Sequence, residues 1–483
     1  MPAQSLNHTH EPIDIEPSLR IKSVLLAQQK AYGLNPMPSA HSRIQMLKRL
    51  KAALLEFKQP LIAAVNQDFS SRSSDETLLA EFMPSIESIN FAIKHTKQWM
   101  KSDKRKVGLL FMPAKNRVHY QPVGVVGIIV PWNYPIFLSL GPLVGAISAG
   151  NRAMIKLSEY TPHLNKVLID MLASVFSEEE VAVIEGDAET AIAFTQQNFD
   201  HLLFTGSTSV GRHVMAAAAK NLTPVTLELG GKSPAIIDQD TPMKEACERL
   251  CFGKSLNAGQ TCVAPDYILL PKEREQEFIN TYQAVFAKMY PSIKDNEDYS
   301  AIINPAQWQR LQSYLNDAKA KGALCTEVNP LNEDLSAGRK MAPVLVQNPS
   351  HDMTLMQDEI FGPILPIIQY EGLADALEFI RQRPRPLALY YFGHNKKAQH
   401  KVLAQSHAGG VCINDTLVHL AQEDLPFGGI GDAGMGAYHG YEGFLTFSHA
   451  KAVHIKGHFN SAKFAYAPYK TPIHKLIYRL FIR

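Results

Sequence analysis

At 483 residues the chain is too long for one compact core and suits two or three domains of roughly 150 residues each. Apolar residues make up 46% and charged residues 19%, which excludes a disordered or collagen-like chain, and 48 Lys plus Arg against 46 Asp plus Glu leave no global field for nucleic acid. Five cysteines, an odd number in so long a chain, do not make a disulfide framework, so the sequence predicts a reducing, cytoplasmic setting.

In chain order, Met1–Glu16 is polar, with Glu11, Asp14 and Glu16 and no apolar core segment, so no secretory signal is expected. Residues 20–101 read as helical: Leu47, Leu50, Leu54 and Leu55 recur at helical spacing, and a second amphipathic run covers Glu76 to Met100. From Val118 to Asn151 no Asp, Glu, Lys or Arg occurs. Pro131, Pro135 and Pro142 and five glycines interrupt this stretch, which predicts a buried strand, a sharp turn and a buried helix rather than a membrane span.

Short β-branched runs then recur about every 25 residues: Val125–Val130, Ala153–Lys156, Val181–Ile184, His201–Phe204 and Val225–Leu229. Helical patterns separate them at Ile136–Ala149, Pro162–Phe176, Ala188–Gln197 and Thr208–Lys220, an alternation that means a doubly wound parallel sheet. Such sheets bind ligands beyond the carboxyl ends of their strands, where Pro131-Trp132-Asn133, Lys156 and Gly206 fall. A second strand-helix series runs from Ser233 to about Phe427 and holds all the cysteines. The glycine-rich stretch from Pro426 to Gly436 reads as a loop rather than an element.

Three features point to chemistry on their own. Cys262, in Asn257-Ala-Gly-Gln-Thr-Cys, follows small and polar residues that favour an exposed turn, as a reacting thiol needs. Glu228 is an acid inside a strand of apolar residues; burial there pushes a carboxyl toward neutrality, where a general base works best. Gly206 and Gly211 lie between a strand and a helix with Ser207 as the expected N-cap, which presents backbone N–H groups to a pyrophosphate. Cys247 and Cys251, four apart on an apolar helical pattern, read as buried residues. No C-x-x-C pair occurs and no His stands at ligand spacing, so no metal is expected.

Together these features sit in seven blocks: PWNYP at 131–135, IKLSE at 155–159, FTGSTSVG at 204–211, LELGGKSP at 227–234, GQTC at 259–262, EIFGP at 359–363 and PFGGIGDAGMGAYHG at 426–440. In order and spacing, from about residue 20 to 455, the chain resembles the NAD(P)-dependent aldehyde dehydrogenases. It is most similar to their class 3 branch, which includes fatty and aromatic aldehyde enzymes and bacterial coniferyl aldehyde dehydrogenases.

The resemblance implies a doubly wound parallel-sheet cofactor domain (20–102 and 122–227) and an α/β catalytic domain (228–427). It also implies a small β bridging or oligomerisation element (103–121 and 437–460), between an N-terminal segment 1–19 and a tail 461–483. By the same likeness, Cys262 is the nucleophile, Asn133 and the Cys262 N–H hold the oxyanion, and Glu228 activates the hydrolytic water. Lys156 and Glu159 go to the adenosine ribose and Gly206, Ser207 and Gly211 to the phosphates. Glu359 goes to the nicotinamide ribose and Phe361 near the nicotinamide ring, and Pro131 and Trp132 are cofactor-binding as well.

The implied reaction oxidises an apolar aliphatic or aromatic, coniferyl-type aldehyde to its acid with NAD, NADP being tolerated, in a homodimer. The carboxylate at Glu228 disfavours a coenzyme A-acylating relative, and intact Cys262, Asn133 and Glu228 disfavour a catalytically idle structural member. The tail carries seven Lys or Arg and no acid after Glu442. Thr471 and Pro472 read as N-cap and N1 of a basic amphipathic helix too short to span a bilayer. Its expected partners are its own dimer or, as a weak membrane-surface contact through 470–483, an anionic lipid surface.

Overall fold

The computed structural model describes residues 16–482, so the readings made on Met1–Ile15 fall outside the described residues. Helices fill the stretch to Trp99, at Pro17–Leu34, Ala40–Glu56, Lys58–Phe69 and Met83–Trp99. The strands in chain order are β1 Asp103–Arg105, β2 Ala114–Pro122, β3 Val125–Ile129, β4 Arg152–Lys156, β5 Val181–Ile184, β6 His201–Gly206, β7 Val225–Leu229 and β8 Pro234–Ile237. They continue as β9 Tyr267–Pro271, β10 Leu324–Glu327, β11 Val344–Gln347, β12 Ile364–Tyr370, β13 Ala388–Phe392, β14 Gly410–Ile413, β15 Gly434–Met435 and β16 Ser448–Lys456.

These strands form three sheets. The first runs β15-β7-β6-β3-β4-β5, parallel except for β15; the second runs β10-β11-β12-β9-β8-β13-β14, parallel except for β10. The third, β1-β2-β16, is antiparallel and largely exposed. In the first sheet the chain steps from β3 out to β5 and then returns to β6 on the other side of β3. That reversal opens the ligand crevice of a doubly wound sheet beside β3.

Every strand and helix expected between Val125 and Leu229 is present, with ends shifted by a few residues at most. One correction concerns the Pro426–Gly436 stretch, which is not all loop. Gly434 and Met435 pair antiparallel with Glu228 and Leu227. Gly434 makes this approach because it sits at φ 129°, and a Cβ there would meet the Leu227 carbonyl oxygen at 1.9 Å.

The helix Pro135–Ala149 explains the charge-free stretch. Fourteen of its 15 residues are buried, so it is apolar all round because it lies in the core. Ser139 and Ser148 hide their hydroxyls by donating to Pro135 O and Val144 O, each at 2.6 Å. Its two ends are capped by buried charges. Glu81 accepts from the Ile136 and Phe137 N–H groups at the start, and Arg43 donates to the Ser148 and Ala149 carbonyls at the end. Both signs complement the helix dipole. Among the described residues no helix is long and apolar enough to cross a membrane.

Candidate active site

Asn133 lies in the turn between β3 and the Pro135 helix, only 3% exposed. Its side-chain amide donates to Gln260 O at 3.2 Å, which fixes the direction of the amide and leaves its second N–H free. Its carbonyl accepts from Asn257 Nδ2 at 3.1 Å and from Arg72 Nη1 at 2.7 Å. Gln260 is itself held by Asn257 O, Ala301 O and the Ile303 N–H, all at 3.0 Å.

Cys262 follows a tight turn from that scaffold. Asn257 and Ala258 sit in the left-handed region at φ 51° and 50°, a strained conformation for residues with a Cβ. Gly259 follows at φ 75°, where a Cβ would meet Gly362 O at 2.5 Å. The thiol is half-buried. Burial pushes it up to about 12, and the carboxylates of Glu359 and Glu228 push the same way, while the N–H groups of Cys262 and Val263 stabilise the thiolate.

Glu228 lies one residue from the end of β7, paired in register with Thr205 of β6. It is 3% exposed and neither carboxylate oxygen has a hydrogen-bond partner. Desolvation alone drives it well above the ordinary carboxyl range. Glu359 reaches the same place from the second sheet's side: a Cβ on Gly230 would stand 2.0 Å from its Oε2. Burial, with Asp266 next, raises Glu359 to about 8, against the Gly231 N–H, Lys232 and Arg310. The Cys262 thiol, the two protonatable carboxyls that act on it and the Asn133 amide bonded to Gln260 O two residues before it thus lie in one neighbourhood.

The cofactor candidates line the neighbouring strand ends. Lys156 is 2% exposed, donates to Leu157 O and Gly186 O at 2.6 and 2.8 Å, and stands 4.0 Å from Glu159, leaving one donor for a ligand. Ser207 caps the Thr208–Ala219 helix as expected, accepting from the Val210 N–H at 3.4 Å. A Cβ on Gly211 would meet Leu229 Cδ2 at 2.6 Å, so glycine here lets the helix start press against β7. Phe361 is held at φ 49° with its ring edge-on to Trp132 at 5.3 Å. Helix N–H groups, a basic residue with spare donor capacity and the carboxyls of Glu159 and Glu359 are donors and acceptors of the kind a nicotinamide dinucleotide takes.

Four supporting residues escape a reading of the sequence: Arg72, Glu76, Glu81 and Lys254, all buried. Lys254 is unpartnered and lowered to about 8, chiefly by burial. Only Glu81 leaves a signal, since it shares the helical spacing of buried Ser85, Ser88, Ala92, Thr96 and Trp99.

The model of the aldehyde dehydrogenase family matches residues 21–453. The chain belongs to that family. This aldehyde dehydrogenase is 56% identical over 464 residues to a probable coniferyl aldehyde dehydrogenase of Pseudomonas aeruginosa, covering 96% of this chain and 97% of that one. Family 3 member A2 of Rattus norvegicus is 39% identical over 86% of this chain and 84% of its own. The substrate-bound Staphylococcus aureus AldH superposes with a TM-score of 0.90 at 37% identity, over 96% of this chain and 99% of that one. A Mycobacterium tuberculosis aldehyde dehydrogenase complexed with NAD+ does so at 0.83 and 28%, over 92% and 91%. The enzyme is thus a class 3-like oxidoreductase that takes an aldehyde to the carboxylic acid with NAD(P). None of these relatives supports a coenzyme A-acylating or a catalytically idle reading.

Proposed function

We propose that Cys262, once its thiol proton has passed to solvent, adds as the thiolate to the aldehyde carbon while the carbonyl π electrons move to oxygen. The free Asn133 N–H and the Cys262 backbone N–H then hold the resulting oxyanion; one such donor is worth about 2.7–4 kcal/mol of barrier. NAD(P)+, when bound, supplies the acceptor for the hydride that this carbon releases as its C=O reforms, leaving the acid as a thioester on Cys262. Glu228, in its ionised form, takes a proton from water as the water oxygen attacks that thioester, and the Cys262 thiolate leaves.

The observation that carries this reading is the convergence of the half-buried thiol, the free Asn133 amide hydrogen and the unbonded Glu228 carboxyl. Glu228→Gln tests it. The expected outcome is a burst of NADH near one equivalent followed by slow turnover; an unchanged steady-state rate removes Glu228 from the base role.

The preferred substrate is an apolar aromatic aldehyde of the coniferyl type, supported by the 56% identical relative of that name. Rates for alkanals against benzaldehyde- and cinnamaldehyde-type substrates, with Cys262→Ala as the blank, measure this preference. Lys156 and Glu159 hold the adenosine ribose, Gly206, Ser207 and Gly211 the phosphates, and Glu359, Phe361, Trp132 and Pro131 the nicotinamide end. Glu159 repels a 2′-phosphate, so NAD is preferred with NADP tolerated, and kcat/KM for the two cofactors reads it directly. The exposed sheet β1-β2-β16 serves as the contact of a homodimer, and the C-terminal helix seats on the second subunit. A cytoplasmic setting is consistent with five free cysteines.

A further inference from the structure

Behind Asn133 lies a charge cluster that hydride transfer and hydrolysis do not use directly. Arg72 is 1% exposed, and its guanidinium carbon lies 4.9 Å from the ring centre of Phe69 and 4.8 Å from that of Tyr134. It ion-pairs with Glu76 at 3.3 Å and Glu81 at 3.2 Å, contacts not aligned as hydrogen bonds, while Nη1 makes a short bond of 2.7 Å to Asn133 O. Glu76 Oε2 accepts from Ser300 at 3.2 Å, and Glu81 Oε2 accepts from the Ile136 N–H at 2.7 Å. Burying one cation and two acids is seldom stabilising against an apolar filling, so their placement asks for another reason.

We infer that Arg72, clamped by Glu76 and Glu81, is a positioning residue that holds the Asn133 turn so that the free amide N–H stays aimed at the oxyanion. The clamp acts from two sides. Arg72 fixes the carbonyl of Asn133, and Glu81 fixes the first helical N–H groups three and four residues later. Between them the turn has no freedom to swing the amide away while charge develops on oxygen, which is the preorganisation that oxyanion stabilisation requires. The inference rests on Asn133 being the oxyanion donor proposed above.

A double-mutant cycle read by the stopped-flow burst of NADH separates the two claims. It uses Arg72→Met, Asn133→Ala and the double variant, each with saturating NAD and cinnamaldehyde or hexanal, whichever turns over faster. Arg72→Met is expected to slow the burst by about 10- to 100-fold in the native background and by less than about threefold beside Asn133→Ala, with KM for NAD little changed. Equal losses in both backgrounds, or a native burst rate in Arg72→Met, overturn the inference. A native burst in Asn133→Ala instead removes the donor role itself. Should Arg72→Met not fold, Glu81→Gln runs through the same cycle under the same two criteria: it removes the ion pair but keeps an amide oxygen for the Ile136 N–H.

Discussion

Glu228 carries its carboxyl unbonded and almost wholly out of water, and this has a thermodynamic sign. Its folded pKa lies above the unfolded one because burial penalises the ion. At pH below the unfolded value both states are protonated and nothing is lost. As pH climbs toward the folded value, the unfolded chain gains by releasing the proton and the native state does not, so stability falls. Glu228→Gln removes that loss. Its Tm is expected to exceed the native value by a margin that widens as pH rises above the ordinary carboxyl value of 4.5; a constant or shrinking margin refutes the raised carboxyl. Site residues of this kind were legible because an acid in an apolar strand and a cysteine after small residues break their local patterns. Arg72 and Glu76 were not, because charged residues ordinarily face solvent, and only the fold sets Arg72 between the rings of Phe69 and Tyr134 and beside both acids.

Among the elements, the Pro135–Ala149 helix matters most, since Asn133 stands just before it and all but one of its residues are buried. Arg43 closes its far end with bonds to two terminal carbonyls, 2.9 Å to Ser148 O and 2.6 Å to Ala149 O. Arg43→Met leaves those carbonyls buried without donors at about 1–3 kcal/mol each, with a fall in Tm of several degrees expected in a thermal scan. A Tm within about one degree of native refutes the capping role. Strand and helix bounds were readable here because β-branched runs and apolar periodicity agree with the final packing. Two details were not. The pairing of Gly434 and Met435 depends on a strand distant in sequence, and two residues carry no periodicity. Thr471 precedes the C-terminal helix as read, yet its hydroxyl bonds His474 Nδ1 at 2.6 Å instead of capping a backbone N–H, a side-chain competitor invisible to a cap rule.

For the whole molecule, the contact surface to test lies at the tail. The Pro472–Phe481 helix leaves Ile473, Leu476, Leu480 and Phe481 exposed, and Leu109 to Met112 stand exposed near the turn Ser461–Ala465 that supports it. Deleting residues 470–483 is expected to weaken the proposed dimer in size-exclusion chromatography at low concentration while leaving pelleting with anionic vesicles unchanged. Loss of pelleting alone assigns the helix to a lipid surface instead.

The order in which the sheets close has a consequence for biosynthesis. Glu228's strand has β6 on one side, but its other side waits for Gly434, and β2 waits for β16 at 448–456. A nascent chain therefore emerges with two unsatisfied hydrogen-bonding edges that stay open until nearly all of it has left the ribosome. A polypeptide cut short before Gly434 leaves the outer edge of the Glu228 strand open to pairing with another chain.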